Sequence, residues 1–193
     1  MTNAPCQILD PRVRRTRQLL QQALSKLLEE KEFEKISVQD IADAATLNRA
    51  TFYDHYTDKF ALLECMVGNR FHELLAGRGV EFGSCDGALR AIFLGVCDYL
   101  EGSPGMDLDR PGQMEPHLES AVVAVVRRMI LEGIKQHPGQ SPVPPEMIAA
   151  TVSWAIFGAA KEWLRTPNRC PSEQMVGMVT TLVAPIFGAH QPA

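Results

Sequence analysis

The chain has 193 residues, 19 Lys+Arg against 23 Asp+Glu, and a formal net charge of −4. Hydrophobic residues make up 46% and charged residues 22%, ordinary globular proportions that exclude a wholly disordered or collagen-like chain. The mild negative charge excludes a uniformly basic nucleic-acid coat but leaves room for a local basic patch.

The N-terminus has no apolar run that reads as a secretory signal. The longest apolar stretch, 147–160, contains Thr151 and Ser153 and falls short of the ~20 residues a membrane span needs. The cysteines (Cys6, Cys65, Cys85, Cys97 and Cys170) are odd in number, scattered and never spaced C-x-x-C. That pattern argues against a disulfide framework or a cysteine zinc site, and for a reducing, cytoplasmic setting.

In chain order, the first predicted helix covers 11–30. Val13, Leu20, Ala23, Leu24, Leu27 and Leu28 form its apolar stripe, Asp10 its N-cap and Pro11 its first turn. Short helices follow at 38–45 and 49–56, and a longer one at 59–76. Gly77, Gly79, Gly83 and Gly87 then mark a linker. Four long helices complete the chain at 87–101, 114–136, 145–165 and 172–187, with Pro185 expected to kink or end the last one early. The expected fold is all-α: a helix-turn-helix head, 1–58, on a larger helical bundle, 59–193.

The informative stretch is 37–59. Ser37 and Asp40 make an S-x-x-D capping box. Val38, Ile41, Ala42 and Ala45 line one helix face, Leu47 plugs the turn, and Asn48 caps the next helix. On that helix Phe52 and Tyr56 lie four apart and face inward, which leaves Arg49, Thr51, Tyr53 and His55 outward. Two short helices joined by a tight turn are the helix-turn-helix arrangement, whose second helix enters a major groove. Arg49 suits guanine O6 and N7, Thr51 a phosphate or a thymine methyl, and Tyr53 and His55 phosphates. Helix N-termini add N–H donors, with Lys59 expected to face a phosphate at the last of them. Ahead of this segment, Arg12, Arg14, Arg15, Arg17 and Lys26 meet only Asp10, so the acidic chain has a basic leading edge. A solvated helix face is the alternative reading of that run, as an ordinary surface histidine is for His55.

These residues resemble the DNA-binding head of the TetR/AcrR family of transcriptional regulators. The matching residues are the Arg-rich first helix, Val38, Ile41-Ala42 and Ala45, then Leu47-Asn48, Thr51-Phe52-Tyr53, His55-Tyr56 and Lys59. The resemblance covers about the first 66 residues. Thr46 stands where the family often has Gly, which predicts slightly different turn dihedrals. Ala50 also replaces a frequent Gly, which holds the backbone farther from a phosphate, and Phe60 a frequent acidic residue. The DNA-binding set is accordingly Arg14, Arg15, Ser37, Asn48, Arg49, Thr51, Tyr53, His55 and Lys59.

In the body, the helices at 114–136 and 145–165 are apolar nearly all round and therefore need cover on more than one side. A two-fold dimer interface is expected from Ala150, Phe157, Met175, Met178, Val179, Leu182 and Ile186, as the resemblance also implies. The resemblance further implies an effector pocket for a small apolar or amphipathic molecule. Its expected lining is Phe93, Cys97, Leu100, His117, Met129, Trp154 and Phe157, with Asp98 as a further polar contact and 102–116 as a lid. Ligand binding would swing the helix at 59–76 and release an operator. No His or Cys stands at metal-ligand spacing from His117, and Cys97 with His117 lacks any supporting catalytic motif, so neither a metal, a cofactor nor an enzyme is expected. The alternative function is a small-molecule-binding helical adaptor that no longer reads DNA.

Overall fold

The structure is a computed structural model that describes residues 10–78, 85–102, 115–137 and 141–188. These hold eight α-helices, one short 3-10 turn and no strand. The chain divides into two compact units, one ending at Met66 and the other beginning at Val67.

In the first unit, α1 (Pro11–Glu30) starts at Asp10, whose carboxylate accepts the Arg12 N–H at 2.8 Å. Its buried stripe is Leu20, Ala23, Leu24 and Leu27. A 3-10 turn (Phe33–Lys35) places Phe33 in the core. Then come α2 (Val38–Ala44), α3 (Arg49–His55) and the first part of α4 (Lys59–Gly77). Helices of seven residues are unstable alone. Here tertiary burial supplies what propensity lacks: Ile41, Ala42 and Phe52 are fully buried, each large side chain contributing about 1.5–3 kcal/mol.

The second unit contains α5 (Cys85–Glu101), α6 (Glu115–Gln136), α7 (Pro145–Arg165) and α8 (Ser172–Gly188). Helix α7 packs against α5, α6 and α8 through Ile148, Val152, Ile156, Phe157, Ala160 and Trp163. Gly95 lets α5 approach the later part of α4. A Cβ there would lie 3.2 Å from Phe71 Cε1 and 3.1 Å from Leu75 Cδ2. Arg78 grips Asp98 with two hydrogen bonds of 2.6 Å and reaches Glu173 at 3.3 Å, so a half-buried ion cluster ties the end of α4 to α5 and α8. Its hydrogen bonds to Asp98 raise the Arg78 pKa further. Of the two outcomes expected at Pro185, a kink or an early end, the early end does not occur: α8 runs through it to Gly188. The missing N–H lies near the helix end, and Thr181, whose carbonyl loses a donor, is exposed to water.

Candidate nucleic-acid interface

The surface that presents α3 is built by caps. The Ser37 hydroxyl accepts the Asp40 N–H at 3.1 Å and donates to Asp40 Oδ2 at 2.6 Å, while the Ser37 N–H donates to the same carboxylate at 2.8 Å. Lys31 adds an ion pair at 3.3 Å. These bonds, the Ser37 hydroxyl first, pull the Asp40 carboxyl down to about 2. The expected capping box is therefore present. Ser37, also expected to touch DNA, has its hydroxyl engaged in it.

The turn between α2 and α3 closes at Thr46, with φ 57°. Threonine adopts the left-handed conformation in which glycine is at ease, at a cost of about 1–2 kcal/mol. Asn48 then caps α3, its side-chain oxygen accepting the Ala50 N–H at 2.8 Å and its amide N–H groups remaining exposed.

On α3 the faces separate as the spacing predicts. Phe52 is fully buried and Tyr56 nearly so, whereas Tyr53 is 47% exposed and Arg49 exposed. Thr51 and His55 are half-exposed. Arg49 Nη2 donates to the Tyr53 hydroxyl at 3.2 Å, and the guanidinium carbon lies 5.6 Å from the Tyr53 ring centroid. Burial lowers the His55 pKa and the nearby Arg17 charge lowers it further, against a smaller opposing effect of Asp54. Tyr56 donates to Cys65 Sγ at 3.5 Å and accepts from Gln21 at 3.4 Å, and burial raises its pKa.

Lys59 departs from expectation. Its ammonium group donates to the carbonyls of Phe33 at 2.8 Å, Glu34 at 3.1 Å and Ile36 at 2.9 Å, and sits 4.6 Å from the Phe33 ring centroid. All three ammonium protons have acceptors inside the head, so none is left for a phosphate. The Asp58 carboxylate takes the Ala61 N–H at 2.8 Å at the start of α4, placing a negative charge where the phosphate was expected. The signal available in the sequence was Asp58 itself, an N-cap residue that repels an anion.

Arg12, Arg14 and Arg15 are exposed and have no ion-pair partner among the described residues. Arg17 stacks 5.7 Å from the Tyr56 ring centroid, and its buried Nε has no hydrogen-bond partner. Arg17 was not in the expected contact set. Its spacing of three from Arg14 places the two on one side of α1.

Residues 20–66 match the model for bacterial regulatory proteins of the tetR family. The match lies within the N-terminal unit. The chain is 41% identical over 68 residues to the HTH-type transcriptional regulator YxbF of Bacillus subtilis (strain 168). That stretch covers 35% of this chain and only 18% of the relative's length. Over 89% of this chain and 95% of the other, the fold resembles a TetR transcriptional regulator from Streptococcus agalactiae 2603V, with a TM-score of 0.50 and 20% identity. The family comprises regulatory proteins, not enzymes.

Phe93, Cys97, Leu100 and Phe157 are buried core. His117 and Met129 are half-buried, and Trp154, expected as a pocket wall, is 54% exposed. Burial, then the Asp98 and Glu101 charges, pushes the Cys97 thiol up to about 12, which disfavours the nucleophilic thiolate. An open cleft of about 360 Å³ lies at Pro116, Glu119, Ser120 and Lys161, where Lys161 pairs with Glu119 at 2.9 Å. The expected lid falls largely at 103–114, outside the described residues.

Of the expected dimer residues, Phe157 and Val179 pack inside their own bundle and are unavailable to a partner. Ala150, Met175 and Ile186 are half-buried; Met178 and Leu182 are exposed at 55% and 74%. Met147, Thr151, Trp154 and Gly158, at intervals of four, three and four, form the exposed face of α7, and Met147, Thr151 and Trp154 were not in the expected dimer set. No helix among the described residues is long and apolar enough to cross a membrane.

Proposed function

We propose that this chain is a DNA-binding transcriptional regulator that reads a near-palindromic duplex as a homodimer. The observation that carries the reading is the two-sided character of α3. Its buried Phe52 fixes the helix to the head, while Arg49 and Tyr53 project into solvent, and α1 of the same unit carries exposed arginines with no ion-pair partner among the described residues. Guanidinium and phenol at the surface supply donors for base edges and phosphates, and Arg14, Arg15 and Arg17 supply charge for the backbone. Asn48, Thr51 and His55 flank them.

Two heads set about 34–36 Å apart engage successive turns of a duplex. The second copy docks on the apolar face of α7 and α8, where Met147, Trp154, Met178 and Leu182 are all more than half exposed. A patch of this kind marks an association surface. Regulation by a small amphipathic effector that releases the operator, the repressor mode, is part of the same proposal. Ligand then favours a state in which α4 moves and the head spacing changes.

The test is enrichment of genomic duplex fragments by the full chain, followed by affinity measurements against salt. If Arg14, Arg15 and Arg17 of both heads each neutralise one phosphate, log affinity falls with log salt with a slope of about −5. Arg49→Ala is expected to abolish the preference for the enriched sequence. Enrichment of no sequence, or enrichment unaffected by Arg49→Ala and Tyr53→Ala, favours the adaptor that no longer reads DNA.

A further inference from the structure

We propose that Tyr53 is a positioning residue for Arg49, so that the two act as one unit in reading a guanine. The inference rests on the DNA-reading function proposed above and deepens it. Arg49 occupies the first position of α3 and Tyr53 the fifth, one turn on and on the same face. The contact is double: the Arg49 Nη2–Tyr53 hydroxyl bond of 3.2 Å and the guanidinium beside the ring at 5.6 Å. Tyr53 is itself braced. Its ring meets the edge of Phe52 with centroids 5.6 Å apart and planes at 83°, and Phe52 has no solvent exposure. The order of the core thus passes from Phe52 to Tyr53 and from Tyr53 to an arginine that is otherwise exposed.

An exposed arginine samples many rotamers, and freezing it on binding subtracts from affinity. No carboxylate among the described residues holds Arg49, so Tyr53 is its anchor. The donor count fits recognition. One Nη2 proton goes to the phenol oxygen, and the protons on Nε and Nη1 and the second on Nη2 stay free for guanine O6 and N7. The phenol oxygen accepts from a cation, which leaves its own O–H free and polarised to donate to a phosphate. Base edge and backbone are then engaged by one preassembled pair.

A phosphate contact acting alone weakens binding to all sequences alike, whereas loss of a positioning contact relaxes the choice of base. The experiment therefore selects from randomised duplexes with the full chain and with Arg49→Ala, Tyr53→Phe and the double variant. Guanine preference at each selected position and affinity for unrelated duplex are then measured. Wild type is expected to select a guanine in each half-site whose preference falls about tenfold or more in Arg49→Ala. Tyr53→Phe is expected to reduce preference at that same position about three- to tenfold, over and above the uniform weakening of unrelated duplex that loss of its phosphate donor brings. The double variant is expected to lose no more preference than Arg49→Ala alone. Uniform weakening by Tyr53→Phe with guanine preference intact overturns the inference and leaves DNA reading in place. So does an Arg49-dependent guanine that is indifferent to position 53. Failure of the wild type to select any sequence overturns DNA reading itself, and this inference with it.

Discussion

Lys59 offers a direct way to separate building the interface from touching DNA. Lys59→Met keeps an apolar stem near Phe33 and Phe60 but removes the donor to three carbonyls, at 2.8, 2.9 and 3.1 Å. A hydrogen bond from a charged donor contributes roughly 1.5–3 kcal/mol, and a stranded buried acceptor costs roughly 1–3 kcal/mol. The bond to Glu34 is exposed, so water replaces it at little cost. The bonds to Phe33 and Ile36 are part-buried and dominate. Because the three share one ammonium group they do not add fully, and the expected loss is about 2–4 kcal/mol. In a chain of this size that lowers the melting temperature by roughly 4–16 °C if the head limits unfolding. Hydrogen exchange is the sharper assay, because it localises the loss: amides of 33–56 are expected to exchange faster while those of α5–α8 do not. Unchanged exchange and melting, combined with weaker DNA binding and a shallower salt slope, would refute this account and restore Lys59 to the phosphate.

Thr46→Gly is expected to stabilise the head by about 0.5–1 kcal/mol, because relief of about 1–2 kcal/mol at φ 57° exceeds the ~0.5–1 kcal/mol entropy cost of glycine. Denaturant midpoints check it, and a lower midpoint shows that the turn gains more from the threonine side chain than the strain costs. The His55 pKa is lowered in the free protein by burial and Arg17, so the unfolded chain binds the proton more readily. The His55 contribution to stability is full above an unfolded pKa near 6.5 and declines as pH falls through the lower folded value. In the proposed complex a phosphate favours the charged ring, so DNA affinity is expected to rise from pH 7.5 to 6 in wild type and less steeply in His55→Gln; equal slopes remove His55 from the contact set. Leu182→Glu, at a position 74% exposed, is expected to shift sedimentation from dimer to monomer without loss of helical circular dichroism; an unchanged dimer places the interface elsewhere.

The head was legible because its signals are local. Period, capping residue and breaker together located α2 and α3, since Ser37, Asn48 and Phe52 act on residues within four positions. Lys59 was not legible, because its acceptors lie 23–26 residues earlier and only tertiary folding brings them together. In the body, composition could not distinguish core from surface. Trp154 reads as apolar and was placed inside, yet the buried positions of α7 run 148, 149, 152, 153, 156, 157 and 160, a phase that leaves 154 outside. A strict count along the helix would have turned Trp154 outward and Phe157 inward. The open cleft at Glu119 and Lys161 joins residues 42 positions apart and left no local trace.

On the proposed reading the head divides its labour between residues offered to a duplex and residues that fix where those residues point. A seven-residue helix has too few internal bonds to hold its own orientation. The Asn48 cap, the Thr46 turn, the Asp40–Ser37 box and buried Phe52 fix α3, and Lys59 fastens the start of α4 to the 33–36 segment. None of these needs to meet DNA for its loss to abolish binding. A scan of binding alone would assign Lys59 and Arg49 the same role. Only a scan that pairs base preference with local stability separates them: Lys59→Met is expected to weaken every duplex equally by depopulating the folded head, and Arg49→Ala to erase a preference while leaving the head folded.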